Sequence, residues 1–260
     1  MSAVLARVTF LGTGTSHGVP AIGCGCATCR SDDPRDRRWR PSILIELPER
    51  ATLLVDTAPD LRAQALAFGV SRIDAILFTH AHADHLLGLD DIRRFNEIQG
   101  GPVSCYGDRS TLTEVRRTFA YAFRPGPPGG GLPRLNLFAI EGAFSVGGTE
   151  IVPVPVLHGT QLILGFRVGS FAYLTDCSAI PESSWPLLAG VRYLALDALR
   201  ERPHPTHFSL SEALAVIERL RPDCAWLTHI CHDLGHAATS ARLPAGVLLA
   251  YDGLKIEVPE

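Results

Sequence analysis

Thr79-His80-Ala81-His82-Ala83-Asp84-His85 places three imidazoles and a carboxylate within six positions, a density that a satisfied core histidine does not explain. Imidazole and carboxylate are the donors that zinc or manganese takes, so the chemistry on offer is that of a metal centre. Further candidates close apolar runs downstream: His158 after 151–157, Asp176 after 171–175, Asp197 after 191–196 and His229 after 225–228. Asp56 follows 52–55 in the same way, at a strand's carboxyl end, where layered α/β proteins carry active-site residues. A second group, Cys24, Cys26 and Cys29, is spaced so that three thiolates can wrap one tetrahedral zinc, given a fourth ligand. A redox pair of Cys26 and Cys29, or three free thiols, are the other readings. Zinc is preferred, because a two-cysteine redox motif has no use for a third cysteine.

Periodicity indicates the elements that must position these groups. The run 73–78 reads as a buried strand, and Leu86, Leu89, Ile92 and Phe95 share one face of a helix beyond it. His80 and His82 then leave the strand on the same side, with Asp84 and His85 in the turn that opens the helix. Strands are expected at 7–11, 42–47 and 52–55, and a helix at 59–68. Thr111 with Glu114 and Ser209 with Glu212 read as capping boxes. The first helix runs toward Phe123 with Leu112, Val115 and Phe119 on its stripe; the second turns Leu210, Leu214, Ile217 and Leu220 inward. His207 stands just before the second cap, where a helix N-terminus can seat a phosphate; it reads as a substrate contact or acid, or as a surface-loop histidine.

Three loops carry weaker signals. Gly12 to Gly18 is not a dinucleotide fingerprint, since its third glycine comes one place late and Val19-Pro20 stands where a helix is needed. It is either a flexible loop whose backbone approaches a ligand or metal closely or a plain turn. Arg30, Arg35, Arg37, Arg38 and Arg40 among Asp32, Asp33 and Asp36 read as a self-neutralised, solvated loop. The Pro/Gly-rich stretch 124–133 can be neither helix nor central strand, and is a lid, a partner-binding arm or a surface insertion.

With 260 residues, 46% hydrophobic and 20% charged, the composition is that of an ordinary globular protein. A net charge of −3 sets up no global field for nucleic acid, so no such partner is expected. No apolar run is long enough for a membrane span and the first ten residues lack a signal core, so a cytoplasmic setting is the expectation. Seven cysteines, three of them in one loop, favour metal binding over disulfides there.

In order and spacing, His80, His82, Asp84, His85, His158, Asp176 and His229 resemble the ligand set of the metallo-β-lactamase-fold hydrolases over nearly the whole chain. The resemblance implies an α/β fold, the αββα four-layer sandwich, as one domain over 1–260 with a zinc loop at 23–30. It further implies that His80, His82 and His158 hold one divalent ion, that Asp84, His85 and His229 hold a second, and that Asp176 bridges them. Asp56 is expected to orient a ligand histidine. Gly12-Thr13-Gly14, Gly18-Val19-Pro20, the cysteine cluster and 227–232 narrow the likeness to the phosphoribosyl 1,2-cyclic phosphate phosphodiesterases of phosphonate breakdown. That likeness implies His232 as the fourth ligand of a structural zinc, His207 as the group that stabilises the phosphate transition state, and Asp84 beside it in catalysis. The cofactors implied are two catalytic zinc or manganese ions and one structural zinc.

The reaction expected is hydrolysis of a small cyclic or linear phosphodiester by a metal-bridging hydroxide, in a protein free to form a homodimer. The alternatives are a tRNA 3′-processing nuclease, a lactone or thioester hydrolase, and a non-hydrolytic relative of the pyrroloquinoline quinone biosynthesis protein, whose C-x-C-x-x-C loop and Pro59-Asp60-Leu61-Arg62 are similar. The 124–133 loop looks longer than the phosphodiesterase family requires, and loops around a metal mouth decide what fits.

Overall fold

Strand alternation sorts the apolar residues to two sides. In β1 (Val4–Gly12), Ala6, Val8 and Phe10 face one way and Leu11 the other; β2 (Ser42–Leu47) separates Ile43, Ile45 and Leu47 from Leu44. β3 (Ala51–Val55) separates Leu53 and Val55 from Leu54. A sheet apolar on both faces needs a covering layer on each. The computed structural model, which describes residues 4–124 and 131–259, supplies both.

The first sheet continues with β4 (Ala75–Leu77), β5 (Val103–Gly107), β6 (Leu135–Ala139) and, from the far end of the chain, β14 (Lys255–Pro259), in the order β14-β1-β2-β3-β4-β5-β6. β7 (Phe144–Val146), β8 (Thr149–His158), β9 (Gln161–Val168), β10 (Phe171–Leu174), β11 (Tyr193–Asp197), β12 (Cys224–Thr228) and β13 (Val247–Leu249) form the second, in reverse chain order. Each sheet is antiparallel on one side and parallel on the other: the parallel pairs run from β3 to β6 and from β10 to β13.

Phe10, Val55, Phe166, Tyr173 and Trp226 lie in the core between the sheets. Leu54, Ile76 and Phe78 pack outward with α1 (Leu61–Phe68), α3 (Ile92–Gln99) and α4 (Arg109–Thr118). Leu194, Leu196 and Leu227 pack outward with α5 (Leu210–Leu220). The layers are thus αββα. Burial of each such side chain contributes about 1.5–3 kcal/mol, against about 0–1 kcal/mol for an exposed pair such as Arg94–Glu97, so these three cores hold the layers together. Among the described residues no helix is long and apolar enough to cross a membrane.

Several local expectations are corrected. The strand expected at 73–78 is the short β4, and the helix expected from Leu86 is broken into α2 (Ala83–Leu86), a 3₁₀ turn (Leu89–Asp91) and α3. Gly88 lies at the break, pressed against the 58 carbonyl so closely that a Cβ there would sit 2.0 Å from Ala58 O. Asp84 and His85 are therefore inside the first short helix, not in the turn before it. The helix expected to start at a Thr111–Glu114 box is capped by Asp108, whose carboxylate accepts from Thr111 N, and it ends at Thr118. The Ser209–Glu212 box is present as expected. Of the Pro/Gly-rich loop, residues 125–130 lie outside the described residues.

Candidate metal centre

The strand ends that carry the candidate ligands converge at one edge of the sandwich. Asp176 is their hub: its Oδ1 lies 3.2 Å from His85 Nε2 and 3.0 Å from His229 Nε2, and its Oδ2 lies 3.8 Å from His80 Nε2. Asp84 Oδ2 stands 3.3 Å from His85 Nε2 and 3.8 Å from His229 Nε2. Three sets of donor atoms each fall within 4.8 Å of one another: Asp84, His85, Asp176 and His229; His80, His82 and Asp176; His158, Asp176 and His207. Asp176 belongs to all three. His82 is exposed at the rim, its ring centroid 4.4 Å from that of His80 and 5.1 Å from that of His158.

Backbone strain helps aim these groups. Asp56, Asp176 and His229, each just past a strand, hold φ of 60°, 55° and 58°, in the left-handed region that non-glycine residues seldom occupy. Such conformations cost on the order of 1–3 kcal/mol each and persist where the surroundings over-determine them. At His229 those surroundings are backbone bonds from Ile230 N to Thr13 O and from Thr15 N to Ile230 O. The loop 12–18 therefore braces a ligand candidate, a task that neither reading of its sequence assigned to it.

The imidazoles are oriented from behind. Asp56, fully buried, accepts from His85 Nδ1 at 2.7 Å and from Thr79 N and Oγ1 at 2.8 and 2.7 Å. Thr79 Oγ1 in turn lies 3.0 Å from His80 Nδ1, and His158 Nδ1 donates to the Asp176 carbonyl at 2.8 Å. One carboxylate thus orients two histidines, one directly and one through Thr79, with Nε2 of each turned inward. Thr79→Val is expected to weaken zinc binding about 10–100-fold, read by competitive titration with a chelating dye. Unaltered affinity would remove Thr79 from this relay.

A cation fits this arrangement on the structure's own terms. His80 Nε2, Asp84 Oδ2, His85 Nε2 and His229 Nε2 are buried, approach one another closely, and make no well-aligned hydrogen bond. Each such atom left unpaired costs about 1–3 kcal/mol, so four together call for a shared partner. Burial lowers the pKa of His80, His158 and His207, which favours the neutral, ligating imidazole. For Asp84 and Asp176 burial acts to raise the pKa, but the facing histidines outweigh it and hold both carboxylates below their usual range. His85 is pushed up against its own burial by Asp176, Asp84 and Asp56, which marks a negative potential that a cation would answer.

A model of the β-lactamase superfamily domain matches residues 51–230, which contain every ligand candidate from His80 to His229. The chain belongs to the metallo-β-lactamase superfamily. It is 46% identical to a crystal structure described as a new diphosphatase from the PhnP family, with 97% of each chain covered and a TM-score of 0.91, which places it in that family. The zinc-bound PqqB of Methylobacterium extorquens superposes at a TM-score of 0.77 over 97% of this chain and 100% of that one, at 20% identity, and so shares the fold. A Porphyromonas gingivalis protein named octanoyltransferase is 35% identical over 98% of this chain, which spans 52% of that longer protein. The chain has the metallo-β-lactamase fold, and its converging histidines and aspartates form donor sets that could hold divalent metal.

This superfamily member carries its second cluster in the cysteine loop that follows 12–18, closed by His232. Cys24, Cys26 and Cys29 Sγ lie 3.1, 3.4 and 3.5 Å from His232 Nδ1. A tetrahedral ion with bonds of about 2.3 Å to sulfur and about 2.0 Å to nitrogen has N···S edges of about 3.5 Å, so these spacings suit zinc. The backbone N–H of Cys29, above all, lowers the Cys26 thiol to about 7, toward the thiolate that ligation requires. Cys26→Ser is expected to remove one zinc per chain and to lower the unfolding midpoint, because a structural ion contributes folding free energy directly. Full metal content with an unchanged midpoint would refute it.

Of the site's neighbours, Asp197 was singled out in the sequence without a role, Thr79 was not singled out, and one group of residues was misjudged. Asp197, fully buried, stands 3.1 Å from His207 Nδ1 and 3.6 Å from His229 Nδ1; its place at a strand end was the available signal. Thr79 gave no signal, since threonine at a strand exit is ordinary. The arginine-rich loop is not solvated throughout: Arg38 is buried and bonds Asp36, Cys231 O and Leu234 O, so it straps the His232 loop to residues 34–40. Asp33 and Arg35 do neutralise each other at the surface, as expected.

Proposed function

We propose that the chain hydrolyses small phosphodiesters at a centre of two cations. His80, His82, His158 and Asp176 would hold one zinc or manganese ion, and Asp84, His85, His229 and Asp176 the other. Cys24, Cys26, Cys29 and His232 would hold a structural zinc. Bound there, the catalytic cations supply Lewis acidity toward a phosphoryl oxygen and lower the pKa of water.

The observation that carries this reading is the sign of the charge. Among the proposed ligands only Asp84 and Asp176 are carboxylates, so of about +4 of cation charge about +2 stays in excess and favours an anionic ester. The cavity of 290 Å³ on which His207 opens adds Arg200, Arg202 and His204. His207 gives Nδ1 to Asp197 and packs its ring against His158 and His229 at centroid distances of 4.8 and 4.7 Å. Its remaining nitrogen, Nε2, would pass a proton to the departing alkoxide once the bound anionic ester offsets the burial that lowers the His207 pKa and the ring is protonated. The likeness to a PhnP-family diphosphatase supports phosphorus chemistry. The 290 Å³ volume of this cavity and the net charge of −3 favour a small substrate over RNA.

The relative named octanoyltransferase favours a second reading, acyl thioester hydrolysis, because the same cations polarise a carbonyl. The test runs bis-p-nitrophenyl phosphate, a 2′,3′-cyclic nucleotide, a diphosphate diester, an octanoyl thioester and precursor tRNA in parallel on metal-loaded protein. Turnover of the phosphorus esters is expected; activity confined to the thioester, or to tRNA, would overturn the proposal.

A further inference from the structure

A second cavity adjoins the one that opens on His207. It has a volume of about 490 Å³, within the range of about 300–1,000 Å³ that small-ligand sites occupy, and no role in the metal centre. Its walls are Trp39, Phe68, Arg37, Arg40, His17 and Gly18, with others. His17 and Gly18 also line the 290 Å³ cavity that carries His204 and His207, so the two spaces adjoin across one loop. Asp60 chiefly, and at longer range Asp84 of the metal centre, hold the Arg40 guanidinium above its ordinary pKa, which places this wall within electrostatic reach of that centre.

The cavity is built to receive a flat, polar-edged ring. Trp39 is a fixed platform: its N donates to Asp252 Oδ2 at 2.6 Å, its O accepts from Gly14 N at 2.8 Å, and Phe68 braces the indole edge-on at 5.7 Å. Arg40 is clamped by Asp60 through two bonds of 2.8 Å and contributes shape with its charge already answered. Donors remain unspent. Among the described residues the Trp39 indole N–H and the His17 ring make no hydrogen bond, and the Arg37 guanidinium makes only a long one, 3.4 Å, to Ser31 O. A rigid indole face beside a guanidinium held by one long bond and an imidazole that makes no hydrogen bond matches the π-face and hydrogen-bonding edge of a nucleobase better than an alkyl chain, which leaves those donors unmet.

We propose that this cavity seats the base of a nucleoside phosphodiester, stacked on Trp39 and bonded at its edge by Arg37 and His17, while the phosphate lies at the metal centre. The inference rests on the phosphodiester reading for its second half only.

The test follows tryptophan fluorescence of metal-loaded protein during titration with adenosine 5′-monophosphate and with ribose 5-phosphate, which has the sugar and phosphate but no base. Saturable quenching is expected, with the nucleotide bound about tenfold more tightly. Trp39→Leu should erase both the quenching and the preference, although Trp185 and Trp226 remain. Arg37→Ala, at an exposed position, should reduce the preference about as much and serves alone if Trp39→Leu does not fold. Equal affinity for the two ligands, or a preference that survives both substitutions, overturns the proposal. The second half is read from kcat/KM for thymidine 5′-(p-nitrophenyl phosphate) relative to methyl p-nitrophenyl phosphate, a ratio expected to fall about tenfold in each variant. If both esters are inert while the nucleotide preference stands, the phosphodiester reading fails and the base-binding cavity remains.

Discussion

Asp176→Ala is expected to abolish turnover, by at least about 10³-fold, because the two cations proposed to share this carboxylate would together supply several kcal/mol of transition-state stabilisation at about 1.4 kcal/mol per decade. No other side chain belongs to all three donor sets described around it. Its removal takes the 3.0 and 3.2 Å partner from His229 and His85 and the 3.8 Å partner from His80 at once. Metal analysis should show both catalytic ions weakened while the cysteine-bound ion remains. The fold should survive, since the three apolar cores do not include Asp176. A variant that keeps turnover within tenfold, or that loses one ion and retains the other at full affinity, contradicts a shared carboxylate.

His207→Ala carries the second large effect, of a different kind. General acid catalysis contributes about 10²–10⁴-fold, so kcat should fall by that factor on a substrate with a poor leaving group. The loss should shrink sharply on p-nitrophenyl esters, whose leaving group departs without a proton. Metal content decides the role, because His207 also falls within the donor set of His158 and Asp176. An acid leaves the ion count unchanged; a ligand takes an ion with it. Equal losses in metal and in turnover, with no dependence on the leaving group, would place His207 among the ligands.

The fold was readable from the sequence where one rule governed a stretch. Ser209 and Glu212 satisfy each other's backbone wherever the helix lies, so that start was legible. The candidate ligands were legible because each interrupts an apolar run at its carboxyl end, and the structure brings them together there. What failed depended on contacts between distant segments. Gly88 breaks a well-patterned helix because the Ala58 carbonyl occupies the space of its Cβ, and periodicity carries no trace of that neighbour. Arg38 reads as one charge in a solvated run until the 231–234 carbonyls appear over it. Thr79 and Asp197 act through histidines whose identity had to be known first.

The most direct test is a crystal of the metal-loaded protein measured on either side of the zinc and manganese absorption edges. The account predicts three anomalous peaks per chain: two beside the Asp176 carboxylate, flanked by His80, His82 and His158 on one side and by Asp84, His85 and His229 on the other, and one among Cys24, Cys26, Cys29 and His232. Density showing these imidazoles and carboxylates bonded to one another, with no peak near Asp176 in protein that still turns over substrate, would contradict it.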